Sequence, residues 1–364
     1  MSKPVKMAIL GYGGQGSWHG DELKTIPENM EVIGVYDILE TRMEAARTNG
    51  FKTYASFEEM LADDELELVT IATPNDLHKP QAIALLNAGK NVISEKPVTL
   101  SCTDLEEMIA AAEKNNVLFT VHQNRRWDED FMVARKIIRD DMLGNAFLVE
   151  SRVHGSRGIP SDWRNMKEHG GGMVLDWGVH LLDQMLMMDE ERKIVSVFAE
   201  LTNITNDNCD DGFRIILTWD NGFRALVEVG TSNFIALPRW YIMGENGTAV
   251  IENWGLDGKI VMISNWETRE KVSSISDWKE KDAKPVITGA GLTKTMAPRT
   301  AETIKEYPLP RLDTDVRDYY RNIQTVIHDG AAPIVTHTQM RRVMKLMEAV
   351  FRAGETNTVI KEEI

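Results

Sequence analysis

Cysteine is almost missing from this chain: Cys102 and Cys209 are the only two in 364 residues. Two cysteines exclude a disulfide framework and a cysteine-built zinc site, and they fit a reduced, cytosolic protein. Long apolar runs are absent too. No stretch approaches the ~20 residues that a membrane span requires. MSKPVKMAILGYG enters a strand-like run at once, so no secretory leader is expected and a cytoplasmic location is. Clustered positive charge is also lacking. With a net charge of −15 and no Lys/Arg run, neither nucleic acid nor an anionic membrane is an expected partner. Eight histidines are scattered without an H-E-x-x-H or Cys/His cluster, so no metal site is expected.

What remains is an ordinary globular composition, 43% apolar and 27% charged, which can build a substantial core. The length suggests two domains. Up to about residue 125, short runs rich in Val, Ile and Leu (VKMAIL, MEVIGVYD, LELVTIAT, KNVISEK, VLFTVHQ) alternate with segments of helical spacing. That alternation predicts an α/β unit with a parallel sheet covered on both faces. After a linking helix near 128–140, strand-like runs follow one another. The pairs Asn221-Gly222 and Asn246-Gly247 between them predict antiparallel hairpins. The chain closes with two helical patterns. We therefore expect domains at 1–126 and 127–364, the second α+β with a largely antiparallel open sheet. The terminal helices are free to pack back on the first domain. Residues 265–310 have weak periodicity and read as a solvated loop, with an oligomerisation arm or a lid as alternatives.

The first strand runs straight into GYGGQG, residues 11–16, which fits G-x-G-x-x-G through Gly11, Gly13 and Gly16. A strand before it, a helix after it and an acidic residue, Asp37, at the end of the next strand make the match specific for a dinucleotide. The loop Gly11, Tyr12, Gly13, Gly14, Gln15 and Gly16 would bring backbone N–H groups to a pyrophosphate. Asp37 can accept from both ribose hydroxyls and would repel a 2′-phosphate, which selects NAD over NADP. Arg42 lies close enough to offset part of that repulsion.

ATPNDLHKP carries Thr73, Asn75 and His78, and SEKPV carries Glu95 and Lys96, each where a strand meets its loop. That is the edge at which open parallel sheets bind ligands. Desolvation at such a strand end should disfavour the charged form of Lys96. A plain surface lysine, and a His78 that merely lines a helix start, are the alternatives. In GGGMVLDWGVHLLD (170–183), a helix wound from Asp176 at ~100° per residue puts Asp176, His180 and Asp183 on one stripe among apolar neighbours. A helix-surface Asp/His pair is the alternative, and an ion held by those three residues is a remote one.

GYGGQG, Asp37, TPNDLH, EKP and the DWGVHLLD helix occur in an order that resembles the glucose–fructose oxidoreductase / inositol dehydrogenase (Gfo/Idh/MocA) family, continuously to about residue 190 and more loosely beyond. The resemblance implies a Rossmann domain plus a domain whose open sheet packs against other subunits, hence a homo-oligomer, dimer or tetramer. It implies hydride exchange between a nicotinamide cofactor and sugars, cyclitols or their derivatives. The family's EKP lysine falls on Lys96 and its D-x-x-x-H pair on Asp176 and His180. HQNRR (122–126) resembles a stretch near the nicotinamide, which assigns Gln123 and Asn124 to the cofactor and Arg126 to substrate. Trp163 and Arg164 resemble a Trp-Arg element beside the active site.

On this reading His180 is the general base, since imidazole starts near operating pH. Asp176 orients its ring or binds a neighbouring hydroxyl. Lys96 donates to the reacting oxygen, and the glycines at 170–172 let the helix start approach substrate. The leading substrate is a sugar or glycoside, with 3-keto-sugar chemistry in view because GAGLTKTMAPRT (289–300) resembles a stretch of relatives that act on such compounds. Inositol or another cyclitol, a cofactor-retaining sugar transhydrogenase and a nonenzymatic NAD sensor are the alternatives.

Overall fold

The computed structural model describes residues 3–264, 299 and 301–364. Within the first 121 of them, five strands form one parallel sheet: β1 (Val5–Leu10), β2 (Met30–Tyr36), β3 (Leu68–Ile71), β4 (Asn91–Ser94) and β5 (Phe119–Val121). The spatial order is β2-β1-β3-β4-β5. β3 is buried along its whole length, and β1 and β4 at every position but one, which is why they read as nearly unbroken apolar runs rather than alternating ones. The covering helices are α1 (Gly14–Leu23), α2 (Glu40–Thr48), α3 (Phe57–Ala62), α4 (His78–Asn87) and α5 (Cys102–Asn115). Ser56 and Ser101 cap α3 and α5 through their side chains, and Asn116 ends α5 in the left-handed region.

A linking helix α6 (Glu129–Arg139) leads to the second sheet. Its strands are β6 (Ala146–His154), β7 (Ile194–Thr202), β8 (Gly212–Trp219), β9 (Arg224–Gly230), β10 (Trp240–Gly244), β11 (Gly247–Ile251), β12 (Gly258–Ile263) and β13 (Ile304–Tyr307). Their order is β13-β12-β11-β10-β6-β9-β8-β7, antiparallel throughout except where β6 runs parallel to β9. Asn221-Gly222 does turn the β8–β9 hairpin, whereas β10–β11 turns on Glu245-Asn246, with Gly247 already paired in β11. One expectation needs correction: residues 304–307 are not loop but the edge strand β13, paired with β12. Residues 265–298 and 300 of that segment, and with them all of GAGLTKTMAPRT except Arg299, lie outside the described residues.

Three helices complete the fold: α7 (Val179–Met188), α8 (Asp318–Asp329) and α9 (His337–Thr356). α7 is buried on nearly every side, as its all-round apolar sequence requires. α9 packs on α7, on α5 and on β7, so one helix touches both sheet systems. α8 lies against the first sheet's domain, where Gln324 donates to the carbonyls of Lys3 and Glu28. No helix among the described residues is long and apolar enough to cross a membrane.

A buried ion pair ties these parts together. Asp183 on α7 accepts two bonds from Arg126, at 2.7 and 2.6 Å, and Arg126 also donates to the Ile334 carbonyl and to Gln339 on α9. Both partners are almost fully enclosed. Arg126 is therefore committed to the fold, contrary to its expected place at the substrate, because all its donors point at protein. Removing one partner of such a pair leaves an uncompensated buried charge, which costs about 3–5 kcal/mol. Asp183→Ala should lower unfolding free energy by that amount in urea melts, and the double variant Arg126→Met/Asp183→Leu should recover most of it. A single variant within 1 kcal/mol of wild type, at about the worth of a surface pair, would contradict this role.

Candidate active site

The glycine loop is built to leave space. Gly11 has φ of +90°, and a Cβ there would press on the Ala72 carbonyl at 2.8 Å. A Cβ on Gly16 would stand 2.0 Å from the Gly11 carbonyl oxygen, so only glycine lets α1 start this close to β1. Gly13, by contrast, faces open space, with nothing within 4 Å of where its Cβ would be. No side chain caps α1, and its first turn carries no acid, so its leading N–H groups are free for an anion. Asp37 is fixed beside this loop: it accepts from the Tyr12 N–H at 2.7 Å and the Leu39 N–H at 2.9 Å. Ile38 is 83% exposed next to it, an apolar surface at the lip of the loop. Arg42, on α2, is exposed. A dinucleotide fits this cradle: a gap where a Cβ would fill it, bare helix N–H groups and a carboxylate at the far end.

Around the sheet edge, several expected cofactor contacts prove to be internal. His78 is fully buried, with Nδ1 at 2.9 Å from the Pro97 carbonyl and Nε2 at 2.9 Å from the Thr73 carbonyl. It braces the two strand-end loops against each other and has no nitrogen left for a ligand. Thr73 donates to Gln81, and Asn75 donates to the Gly170 carbonyl at 2.9 Å. Glu95 points inward. His19, on α1, and His122 each meet its Oε1 at 2.8 Å, and the Lys96 N–H donates to its Oε2 at 3.1 Å. The sequence showed eight scattered histidines; the fold brings two of them to one carboxylate. His19 was missed because a lone histidine on α1 has no periodic signal of its own.

Lys96 and Asp176 do meet. Lys96 Nζ lies 3.1 Å from Asp176 Oδ1 and 3.1 Å from the Asp176 carbonyl oxygen. An ammonium has three donors, so this leaves one. Arg164 Nε reaches the same Oδ1 at 3.3 Å, and its guanidinium sits over the Trp163 ring, 4.7 Å from the centroid. Burial alone would push the Asp176 carboxyl up, but Lys96 and Arg164 outweigh it and hold the carboxyl below its usual range.

Two expectations about the glycine-led helix are corrected. It opens with a wide i→i+5 turn, Val174–Gly178, before α7 proper, and such a turn breaks the 3.6-residue register. Asp176 accordingly faces Lys96 and Arg164 rather than the His180 ring, and Asp183 faces Arg126, so the three share no ion site. The glycines at 170–172 serve packing. A Cβ on Gly171 would meet the Arg164 carbonyl at 2.4 Å, and one on Gly172 the Asp210 carboxylate at 2.3 Å. Asp210 instead accepts from the Val174 N–H at 2.8 Å and so caps the turn; burial pushes its own carboxyl up to about 6.

His180 is 5% exposed, and its Nδ1 is buried with no partner among the described residues. Burial first, then the nearby Lys96 and Arg125 cations, hold its basicity well below the ordinary imidazole range. Gln123 Oε1 and Asn124 Oδ1 are likewise buried and unpartnered. Arg125, which sequence reasoning passed over, stacks 4.2 Å above the Trp177 ring and 5.3 Å from Trp254. A group of buried polar atoms without partners is costly.

Comparison with known proteins agrees with this geometry. Residues 5–123 match the model of an oxidoreductase family with an NAD-binding Rossmann fold, and residues 131–250 match the GFO/IDH/MocA C-terminal domain. The structure of an NAD-binding protein from Listeria innocua superposes with a TM-score of 0.86 at 43% identity, covering 99% of this chain and 97% of that one. A scyllo-inositol 2-dehydrogenase (NADP(+)) of Bacillus subtilis is 28% identical over 99% of this chain and 96% of its own length. An inositol 2-dehydrogenase of Salmonella typhimurium is 26% identical over 62% of this chain and 67% of its own. With a nucleotide cradle, a lysine–aspartate contact across two domains and these matches, the chain belongs to the Gfo/Idh/MocA family of NAD-binding oxidoreductases.

Proposed function

We propose that this protein exchanges hydride between NAD and a secondary hydroxyl or keto carbon of a ring polyol, a cyclitol or a sugar. Residues 1–126 would form the nucleotide domain and residues 127–364 the substrate domain, with copies associating through the open second sheet. The observation that carries this reading is the contact of Lys96 with Asp176 at one edge of the glycine-loop sheet, with His180, its Nδ1 unpartnered among the described residues, near enough for the Lys96 charge to depress its basicity. The loop at 11–16 and Asp37 would hold the dinucleotide, and the chemistry a bound NAD supplies is acceptance of the hydride. The relatives named as inositol dehydrogenases favour a cyclitol. The stretch that suggested a glycoside lies outside the described residues.

For alcohol oxidation, the chain's own groups handle the hydroxyl proton and the charge on oxygen. Lys96 keeps one ammonium donor after its two bonds to Asp176 and would place it on the reacting oxygen, stabilising the developing alkoxide. His180 would take the proton through a free ring nitrogen. Asp176, held ionised, fixes the lysine and offers its other oxygen to a neighbouring hydroxyl. A nonenzymatic sensor would have no use for an imidazole buried at the cost of an unpaired nitrogen.

Lys96→Ala and His180→Ala should each lower kcat by ~10²–10⁴-fold, the usual worth of positioned proton transfer, while NAD affinity stays within a few-fold. Near-normal turnover of either purified variant, tested on inositols and sugars, removes that residue from the mechanism. The pH dependence follows from the His180 environment. The base works only when neutral, and its basicity is lowered, so the oxidation rate should hold through neutrality and fall only below the ordinary imidazole range. An acid limb at or above pH ~6.5, the free imidazole value, would contradict the assignment. Asp37→Asn should move the NAD/NADP ratio of kcat/KM toward NADP by about tenfold, the equivalent of ~1.4 kcal/mol. An unchanged ratio would place cofactor selection elsewhere.

A further inference from the structure

Glu95 is one residue from the proposed oxygen-binding lysine, yet it turns away from the ligand cradle into the protein, where it is 5% exposed. Every route around it ends in a donor. On Oε1 it meets His19 Nε2 at 2.8 Å, His122 Nδ1 at 2.8 Å and Gln15 Nε2 at 3.2 Å; on Oε2 it accepts from the Lys96 N–H at 3.1 Å. His19 and His122 are fully enclosed, and His19 Nδ1 is closed off by the Tyr320 hydroxyl of α8. Gln15 and His19 belong to the helix that follows the glycine loop, His122 follows β5, and Lys96 follows β4.

The geometry points to Glu95 as a positioning residue, the centre of a His19–Glu95–His122 hub closed by Tyr320, which locks the backbone of Lys96 to the dinucleotide-binding helix. This inference rests on the reading of Lys96 as the group that binds the reacting oxygen.

Only a carboxylate fits the centre. Both its oxygens accept, whereas an amide has one accepting oxygen and one donating nitrogen. An amide in that place would set N–H against N–H, either at Lys96 or at the two imidazoles. The pattern also fixes both rings. His19 carries its proton on Nε2 and receives Tyr320 on Nδ1; His122 carries its proton on Nδ1. Burial would push the Glu95 carboxyl up, but the His122 and His19 bonds outweigh it and hold it well below its usual range. These short contacts are hydrogen bonds to one shared oxygen, with each ring's proton accounted for, so no ion is needed between them. The hub's negative charge reaches the active imidazole as well. Lys96, Arg125 and His122 oppose protonation of His180, and Glu95 is the group that favours it.

Imidazole ¹⁵N spectra of the full-length protein without ligand, together with pH–rate profiles, test this. In wild type, His19 should appear as the Nε2–H form and His122 as the Nδ1–H form. Glu95→Gln should lower kcat by about 10²-fold, as small misplacements of reacting groups do. It should also move the acid limb of the profile, and the His180 titration, to lower pH. Tyr320→Phe, a milder change, should release His19 into a mixture of tautomers and lower kcat several-fold with KM for NAD unchanged. The opposite tautomers in wild type overturn the hub whether or not Glu95→Gln folds. So does a folded Glu95→Gln protein with wild-type kcat and pH profile beside an inactive Lys96→Ala. An active Lys96→Ala instead overturns the reading of Lys96 and leaves the tautomer result to judge the hub separately.

Discussion

The contact between Lys96 and Asp176 is the constraint on which the rest of the site depends. One partner leaves the carboxyl end of β4 in the parallel sheet; the other sits in the wide turn ahead of α7, 80 residues later in the chain. The pair satisfies two partly enclosed charges and joins the edge of the parallel sheet to the turn ahead of α7. Arg164 adds a second cation on the same carboxylate oxygen, so the negative charge at Asp176 is balanced from both sides.

The supports behind this contact are polar and buried, which is expensive unless each atom is partnered. Arg126 and Asp183 meet that condition between α7 and α9, as do Glu95 and His19 beneath the glycine loop. Asp210 does so at the start of the turn that carries Asp176. Against these satisfied groups, the unpartnered atoms of His180, Gln123 and Asn124 stand out.

Much of this architecture was legible in the residues. The alternation of apolar runs with helical segments pointed to the parallel sheet, because a strand buried on two faces must be apolar throughout, and consecutive strand-like runs with turn residues such as Asn221-Gly222 pointed to the second. β13 escaped notice since Ile304–Tyr307 is a short edge strand, mostly exposed and with little apolar content to signal it. The glycine loop was readable because its three glycines answer to backbone contacts that any side chain would violate. Polar residues were harder. Periodicity cannot tell an unpartnered His180 from a brace such as His78, nor a partly exposed Arg164 from a committed Arg126, since that depends on partners distant in sequence. The stripe through Asp176, His180 and Asp183 failed for a local reason: a single i→i+5 turn rotates everything after it, and no residue pattern announced it.

The most direct test of the central claim is a crystal structure of the protein with NAD and a cyclitol bound together. The account predicts one substrate oxygen within hydrogen-bond reach, ≈ 2.6–3.2 Å, of both Lys96 Nζ and a ring nitrogen of His180, with the lysine still on Asp176. A substrate seated elsewhere, or one whose reacting oxygen touches neither nitrogen, would contradict it.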